Sequence, residues 1–309
     1  MSILTVAIPT HNRAAILRRT LEALTRIEIP SQHEWQLLVV QNNCSDGTAA
    51  VLDEFGLRLP LRVLSEARVG INFARNAAVD AAVEAGRGEF IIFTDDDVIP
   101  VPQWLSAYAS AFASFPDIDI FGGPIEPSFI ESPPSWLRDS MSDVASAYGR
   151  LECGGRGEVL SATFYPFGAN MAFRLRVLKD SQFDPRLGPR GRSRINGSET
   201  QLILKLLASG HPGRWVEGAR IAHCIQEKQM TTEFLRWYFT GQGASMATDS
   251  PPGTTMLWGR PRWLWREAVT AEMRFRLGRI FGRSTTWVRD LKRASIARGR
   301  LTRRGMRFT

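Results

Sequence analysis

The chain has 309 residues, 44% apolar content and a formal net charge of +8, which is enough to bury one full-sized core near the upper size of a single domain. Its three cysteines, Cys44, Cys153 and Cys224, are too few and too scattered for a disulfide framework or a paired-ligand zinc site. No run reaches the roughly 18 to 20 apolar residues of a spanning helix, and the first residues do not read as a secretory leader. We therefore expect one main domain with a C-terminal appendage in a reducing, cytoplasmic compartment.

The positive charge is concentrated at the C-terminus. From Met256 onward the sequence holds 15 Arg and Lys against three acids, so the first 255 residues are mildly acidic. Those residues contain no basic, aromatic-studded strand motif, basic zipper helix or zinc finger, which argues against nucleic acid as a partner. The distribution favours an electrostatic partner for the tail alone.

Apolar runs of strand length alternate with helix-like stretches over the first 125 residues. This pattern predicts a mostly parallel sheet with helices on both faces. The predicted strands are 4–8, 36–40, 61–64, 90–94 and 118–121, and the predicted helices are 14–25, 48–55, 72–85 and 103–115. In such sheets, ligands bind beyond the carboxyl ends of the strands. The polar residues that follow each strand are therefore the candidates for a site.

The middle of the chain has a different composition. Residues 124–157 are rich in Pro, Ser and Gly, which predicts a long surface loop that shapes a pocket. Regular patterns then return. They predict helices over 198–209 and 231–240 and short strands over 214–216 and 219–223.

Three consecutive carboxylates, Asp95, Asp96 and Asp97, follow the fourth predicted strand. Like charges at one strand end repel each other, so a bound cation is expected to relieve them. Asp95 and Asp97 can converge on one hard cation that also bridges two phosphates, which predicts a divalent metal, Mn²⁺ or Mg²⁺. The alternative is a solvated acidic turn.

Eight segments together resemble one known family. They are PTHNR, QNNCSDGT, ARVGINFARNAAV, FTDDDVIP, GANMAFR, FDPRLG, GSETQL and ARIAH. They stand in the order found in family 2 glycosyltransferases, and the resemblance extends over roughly residues 3–240. The resemblance implies an α/β fold of the GT-A type, a Rossmann-like and mostly parallel sheet. It also implies nucleotide-diphosphate sugar donors and inversion at the anomeric carbon.

The resemblance implies donor-binding roles for residues near several strand ends. Pro9, Thr10 and Arg13 resemble the first-strand loop that cradles the nucleotide, and Arg75 resembles an arginine near the base, with a surface ion pair as its alternative. Gln41 stands where the family often keeps an aspartate that reads the uracil ring. An amide still offers a donor and an acceptor to a base edge. We expect a UDP-sugar, although this departure leaves the choice of base open.

The resemblance also implies the metal ligands. Asp95 and Asp97 resemble the family's D-x-D pair, contacting ribose and metal respectively, and Asp96 is placed with the donor-binding residues. His223 resembles a histidine that adds a metal ligand in many GT-A enzymes, with a structural role as its alternative. Asp46 resembles an acid that begins the second helix, where capping is the simpler role.

Glu199, in GSETQL, resembles the acid that family members use as catalytic base at the start of a helix. Transfer with inversion needs such a base, because the acceptor hydroxyl loses a proton as it attacks the anomeric carbon. A first-turn carboxylate favoured by the helix dipole is the alternative. Two further departures are Ser198, where a Glu is common, and Gln229, where an arginine facing the diphosphate is usual.

The sequence thus predicts a catalytic domain over 1–255 and a basic, aromatic-rich helical segment over 256–309. The segment suits an anionic membrane surface, and its alternative is a helix pair packed on the domain. The expected partners are a nucleotide-sugar donor and a growing glycan or lipid-linked saccharide. The alternatives are a retaining transferase, a nucleotidyltransferase, and a non-catalytic sugar-nucleotide or polysaccharide-binding partner.

Overall fold

The structure, a computed structural model, describes residues 2–86, 88–155, 158–190, 193–195, 197–246 and 253–302. Contacts divide the chain into two compact units. The first comprises Met1–Ser128, Gly149–Gly188 and Ser198–Cys224, and the second comprises Phe129–Tyr148, Pro189–Gly197 and Ile225–Thr309. The division into a catalytic part over 1–255 and a tail over 256–309 remains a prediction about function. Residues 303–309, at the end of that tail, lie outside the described residues.

The regular elements alternate along the first half of the chain. The strands are β1 (Ser2–Thr10), β2 (His33–Asn42), β3 (Leu61–Glu66), β4 (Phe90–Thr94), β5 (Val98–Pro100), β6 (Ile120–Gly122), β7 (Ile125–Phe129), β8 (Asn170–Arg174), β9 (Gly188–Arg190), β10 (Ser193–Ile195), β11 (Gly213–Trp215), β12 (Ile221–Ile225), β13 (Met256–Leu257) and β14 (Arg260–Pro261). The helices are α1 (Ala14–Leu24), α2 (Thr48–Phe55), α3 (Ile71–Ala85), α4 (Trp104–Ser114), α5 (Ser135–Asp139), α6 (Met141–Val144), α7 (Leu175–Leu178), α8 (Ser198–Ala208), α9 (Thr232–Ser245), α10 (Arg262–Phe281) and α11 (Ser284–Thr302). Two 3₁₀ turns span Ala145–Tyr148 and Glu227–Gln229.

Seven strands form the central sheet of the first unit, in the order β11-β6-β8-β4-β1-β2-β3. Strands β4, β1, β2 and β3 are parallel, and β8 runs antiparallel between β4 and β6. The prediction of a mostly parallel α/β sheet is confirmed. A small sheet, β5-β12-β7, stands beside the strand ends. The carboxyl ends of β1, β2 and β4 therefore share one edge, where a ligand site is expected.

Continuous apolar runs form the central strands because helices cover both faces of the sheet. Every residue of β4 is buried, as is every residue of β8. The bounds of each predicted element of the first 125 residues lie within two residues of those observed, apart from the start of β2, which comes three residues earlier than predicted. Asp46 accepts from Ala14 N over 3.0 Å and from Thr48 N over 3.1 Å, so it caps the starts of α1 and α2.

The prediction of a long loop over 124–157 is wrong for much of its length. That stretch contains β7, α5, α6 and a 3₁₀ turn. The three helical pieces bury Leu137, Val144 and Tyr148 in the core of the second unit. Each piece has only four or five residues, too few to show a helical period in the sequence. Residues 156–157 lie outside the described residues.

The second unit is built on α9, α10 and α11. Its core includes Phe239, Phe275 and Trp287. Helices α9 and α11 cross closely at Gly299, because a Cβ there would collide with the carbonyl oxygen of Thr240. The inner face of α11 is thus packed against α9. Within the described part of the chain, no helix is long and apolar enough to cross a membrane.

Candidate active site

Asp96 joins the end of β1 to the turn after β4. Because β1 and β4 are parallel neighbours, with Ala7 beside Phe93, the loops that follow them meet. Thr10 donates its hydroxyl to Asp96 Oδ2 over 2.7 Å, and Arg13 Nη1 lies 2.9 Å from Asp96 Oδ1. Burial raises the pKa of Asp96 to about 7, although the charge of Arg13 opposes this shift. Asp96 therefore holds the loop after β1 in place through Thr10 and Arg13.

Helix α1 holds the same turn from a second side. The hydroxyl of Thr20 donates to the carbonyl oxygen of Asp96 over 2.8 Å and accepts from Val98 N over 3.1 Å. All three residues are buried. The sequence analysis missed Thr20, because a hydroxyl within an amphipathic helix gives no signal of such a role.

Asp97 lies between His223 and Arg13. Strand β12 pairs with β5, placing His223 beside Val98, and Cys224 N donates to the carbonyl oxygen of Asp97 over 2.7 Å. As a result His223 Nε2 is 3.4 Å from Asp97 Oδ1, while Arg13 Nη2 is 2.5 Å from Asp97 Oδ2. Burial opposes ionisation, but His223 and Arg13 outweigh it and hold the pKa of Asp97 below its usual value. The acidic triplet therefore already has a protein cation beside it.

Arg75 stands between the other two carboxylates of the site. Its Nη2 is 3.9 Å from Asp95 Oδ1, and its Nη1 is 3.5 Å from Glu199 Oε2. The arginine is 3% exposed, whereas the side chains of Asp95 and Glu199 are 30% and 22% exposed. The alternative role for Arg75, a surface ion pair, is therefore wrong, because the arginine is buried. The two carboxylates keep access to solvent, and the guanidinium between them does not.

Neighbouring segments hold Arg75 in place. Gly168 leaves room for it, because a Cβ at that position would collide with Arg75 Nη2. The guanidinium lies over the ring of Phe183, 5.5 Å from its centroid. Asn76, one residue further along α3, donates to the carbonyl oxygen of Phe183 over 2.9 Å and accepts from Phe183 N over 3.0 Å. Helix α3 and the segment around Phe183 thus form one support.

Pro9 and Gln41 lie at the same sheet edge. In the sheet register, Pro9 is beside Val40 and Thr10 is beside Gln41. Gln41 is half-buried, so its amide retains access to a ligand. The structure brings the first-strand and second-strand candidates side by side, although it shows no contact between Gln41 and the carboxylates.

Asn42, the residue after Gln41, has a structural role that the sequence analysis missed. Its Nδ2 donates to the carbonyl oxygens of Glu66 and Arg68 over 3.1 and 2.6 Å, and its Oδ1 accepts from Gly70 N over 2.9 Å. The side chain is buried. Asn42 therefore shapes the loop that leads from β3 into α3, and so positions the helix that carries Arg75.

Asn170 is a second missed residue. Its Oδ1 accepts from Trp104 Nε1 over 3.0 Å and from Tyr108 Oη over 2.9 Å. Its Nδ2 donates to the carbonyl oxygens of Pro124 and Ala219 over 3.0 and 2.7 Å. Asn170 lies in GANMAFR, one of the eight segments that resemble the family, and this was the one sign in the sequence that it has a role. The fully buried amide ties α4 to the segments that enter β7 and β12.

The side chains at this edge have an excess of negative charge. Four carboxylates face two guanidinium groups, a net charge of about −2 when all four are ionised. Among the described residues, no group of three or more His, Cys, Asp and Glu side chains is placed to hold a metal. Asp97 Oδ1 and His223 Nε2 are nevertheless 3.4 Å apart, close to the roughly 3 Å that separates adjacent ligands of an ion bound at about 2.1 Å. The spacing of these two side chains would allow them to bind one divalent ion.

This arrangement defines a class of protein. A mostly parallel sheet that gathers carboxylates, arginines and a histidine beyond its strand ends is typical of α/β proteins that bind a nucleotide at that edge. The Glycosyl transferase family 2 profile matches residues 5–180, more than half of the chain. The chain belongs to that family, which confirms the resemblance seen in the sequence.

Similar proteins agree with this class. The chain is 28% identical over 111 residues to a validoxylamine A glucosyltransferase of Streptomyces hygroscopicus, covering 36% of the chain and 26% of the relative. It is 24% identical over 204 residues to the hyaluronan synthase of Pasteurella multocida, covering 58% and 20%. The chain thus spans about a quarter or less of the length of these relatives. In structure, it resembles the mannosyltransferase PcManGT of Pyrobaculum calidifontis, solved with GDP-Man and Mn²⁺, with a TM-score of 0.52, 15% identity, and 96% and 86% of the chains covered.

Proposed function

We propose that the chain moves a sugar from a nucleotide-diphosphate sugar, with inversion at the anomeric carbon, onto a hydroxyl of a growing glycan or lipid-linked saccharide. One observation carries the proposal: Asp97 with His223, and Asp95 with Arg75 and Glu199, lie together beyond the carboxyl end of β4. Nucleotides bind at this edge in sheets of this kind. The complex of PcManGT with GDP-Man and Mn²⁺ supports it.

Asp97 and His223 are proposed to hold a divalent ion, Mn²⁺ or Mg²⁺, together with oxygens of the donor diphosphate. When bound, such an ion offsets the charge that develops on the departing nucleoside diphosphate. The pairing of β5 with β12 positions both side chains before any donor arrives. Arg13 occupies Oδ2 of Asp97 and leaves Oδ1 facing His223. Asp97 is ionised in this setting, which is the form that binds metals.

Glu199 is proposed as the catalytic base. The acceptor oxygen bonds to the anomeric carbon, the bond from that carbon to the diphosphate oxygen breaks, and the hydroxyl proton passes to a carboxylate oxygen of Glu199. Arg75 Nη1 lies 3.5 Å from Glu199 Oε2 and is an ion-pair partner of this carboxylate. Because Gly168 and Phe183 hold Arg75, the arginine also restricts where Glu199 points.

The remaining predicted residues are proposed to line the donor site around these two clusters. They are Pro9, Thr10, Arg13, Gln41, Arg75, Asp95 and Asp96. Asp95, being partly exposed beside Arg75, is the candidate for the ribose. Gln41, half-buried beside Thr10, is the candidate for the base. We further propose that the enzyme works in the cytoplasm at the inner face of a membrane.

Calorimetric binding of UDP and GDP, with Mn²⁺ and with a chelator, tests the metal half of this proposal. Wild type is expected to bind one of the nucleotides only with Mn²⁺, and Asp97→Asn and His223→Ala are expected to weaken that binding by at least about tenfold, since ligand removal typically costs this much or more. Undiminished binding in the chelator would remove the metal from the proposal.

A matched control is available for His223→Ala. His211 also pairs with an aspartate, with Nδ1 2.9 Å from Asp119 Oδ2. Asp119 directly precedes β6 and so lies at the opposite edge of the sheet. His211→Ala should leave Mn²⁺-dependent nucleotide binding unchanged. An equal loss in both histidine variants would point to general destabilisation instead of metal binding.

A further inference from the structure

Helix α10 has two unlike faces. Its inner face buries Leu264, Ala271 and Phe275. Its outer face is defined by four apolar side chains that are each more than half exposed: Val269, Met273, Leu277 and Ile280. Their spacing of four, four and three residues places them on one side of the helix. Phe281, 86% exposed, extends this outer face at its end.

A tryptophan hairpin continues this apolar surface at the start of the helix. Strands β13 and β14 are joined by Trp258 and Gly259, both with positive φ, 49° and 73°. A tryptophan in this region is strained, and Trp258 is also 79% exposed. Trp265 holds the hairpin to α10, donating its Nε1–H to the carbonyl oxygen of Leu257 over 2.9 Å and packing edge-on against Trp258. A strained, exposed indole next to an apolar stripe indicates a binding surface.

The charge of this part of the chain is predominantly positive. Residues 262–302 hold ten Arg and one Lys against three acids. One of those acids, Glu272, is engaged by Arg236 and Arg276. Three further arginines of α10 are exposed: Arg266, Arg274 and Arg279. A partner for the outer face must therefore be both apolar and anionic.

We propose that the outer face of α10 and the Trp258 hairpin lie flat on an anionic lipid membrane. Arginines would reach the lipid phosphates, tryptophan would sit at headgroup level, and the apolar stripe would enter the acyl boundary. A second copy of this chain fits less well, because a two-fold contact would bring the arginines of both copies together. A helix of 20 residues, about 30 Å long, offers a contact along its whole length. This surface goes beyond the transfer reaction and does not depend on it.

Co-sedimentation of the full chain with phosphatidylcholine vesicles, with and without about 30% phosphatidylglycerol, tests the proposal. Binding is expected only with the anionic lipid, and it should fall steeply between about 0.1 and 1 M salt, where screening shortens from about 10 to 3 Å. The double variant Leu277→Glu, Ile280→Glu should lower the partition coefficient at least about tenfold. Trp258→Ser should remove most of any blue shift in tryptophan emission on binding.

Leu57→Glu provides the matched control. Leu57 is 95% exposed but lies in the first unit, so its replacement puts a glutamate at an exposed leucine without touching α10. This variant should bind vesicles like wild type, and all variants should bind nucleotide equally. Indifference of wild type to anionic vesicles, or equal binding by the α10 variant, overturns the proposal. Loss of a dimer in the α10 variant, seen by light scattering without loss of lipid binding, would assign the face to a second copy.

Discussion

Replacing Glu199 by Gln separates a catalytic role from a structural one. The amide has the same shape as the carboxylate but cannot take a proton. Glu199 lies in the first turn of α8 with 22% of its side chain exposed, 3.5 Å from Arg75. Two structural effects are therefore lost together with any catalytic one: a charge at a helix start and an ion pair.

The structure sets an upper bound on those two effects. An acid in the first turn of a helix contributes about 0.3 to 1 kcal/mol. At 3.5 Å and an effective dielectric constant of about 20, the attraction to Arg75 is roughly 5 kcal/mol before desolvation, most of which is offset by removing both groups from water. Arg75 also keeps Asp95 at 3.9 Å. We expect a total loss of about 1 to 2 kcal/mol in unfolding free energy.

The kinetic expectation is much larger. Loss of a general base lowers turnover by about 10² to 10⁴-fold, whereas a purely structural loss leaves a folded enzyme with nearly normal turnover. Urea melts and initial rates at saturating donor, measured on the same preparation, distinguish these results. Glu233→Gln is the matched control, because Glu233 occupies the first turn of α9. It should show the small stability loss and no fall in rate.

Two results would refute the reasoning. A Glu199→Gln enzyme with near-normal turnover and an inverted product would mean that another carboxylate is the base. A product with retained configuration, read from the anomeric proton coupling, would remove the need for any base. The second result would favour a retaining transferase of the same fold.

Two further predictions concern binding and folding. Gln41→Ala should weaken donor binding by about 1 to 3 kcal/mol, the cost of leaving a base edge unpaired, without changing acceptor binding. Titration with UDP and GDP measures this effect. Equal nucleotide affinities in wild type and variant would remove Gln41 from the site. Asn170→Ala should lower unfolding free energy by about 3 to 5 kcal/mol in urea melts, because Trp104 Nε1 and Tyr108 Oη lose their buried acceptor; a loss below about 1 kcal/mol would mean that water replaces the amide.

Much of the sheet could be predicted from the sequence because its strands are continuous apolar runs. Strand β4, with its buried FIIFT sequence, was predicted to the residue. The order of the strands in the sheet could not be predicted from the sequence. Strand β8 lies between β4 and β6, although it comes about 50 residues after β6 in the chain. Periodicity reports which face of a strand is buried and carries no information about its neighbours.

The sequence predicted which residues form the candidate site better than it predicted the contacts between them. Asp95, Asp96 and Asp97 are adjacent in the sequence, and their like charges predicted a cation beside them. It did not show that Arg13 supplies one, because that contact joins residues more than 80 positions apart. Asn42 and Asn170 were missed for a similar reason: each acts through backbone groups of distant loops, and an asparagine that ends or begins a strand gives no sign of its partners.

The acidic triplet shows how one strand end can serve several purposes. Three adjacent carboxylates would repel each other if they faced one way, but the turn after β4 sends them to different surroundings. Asp96 points toward Thr10 and Arg13 and is buried, Asp97 lies between Arg13 and His223, and Asp95 faces Arg75 and remains partly exposed. The protein's own cations thus relieve part of the repulsion. The negative charge left over is concentrated beside Asp95 and Asp97, where the proposed donor and its divalent ion would complete the neutralisation.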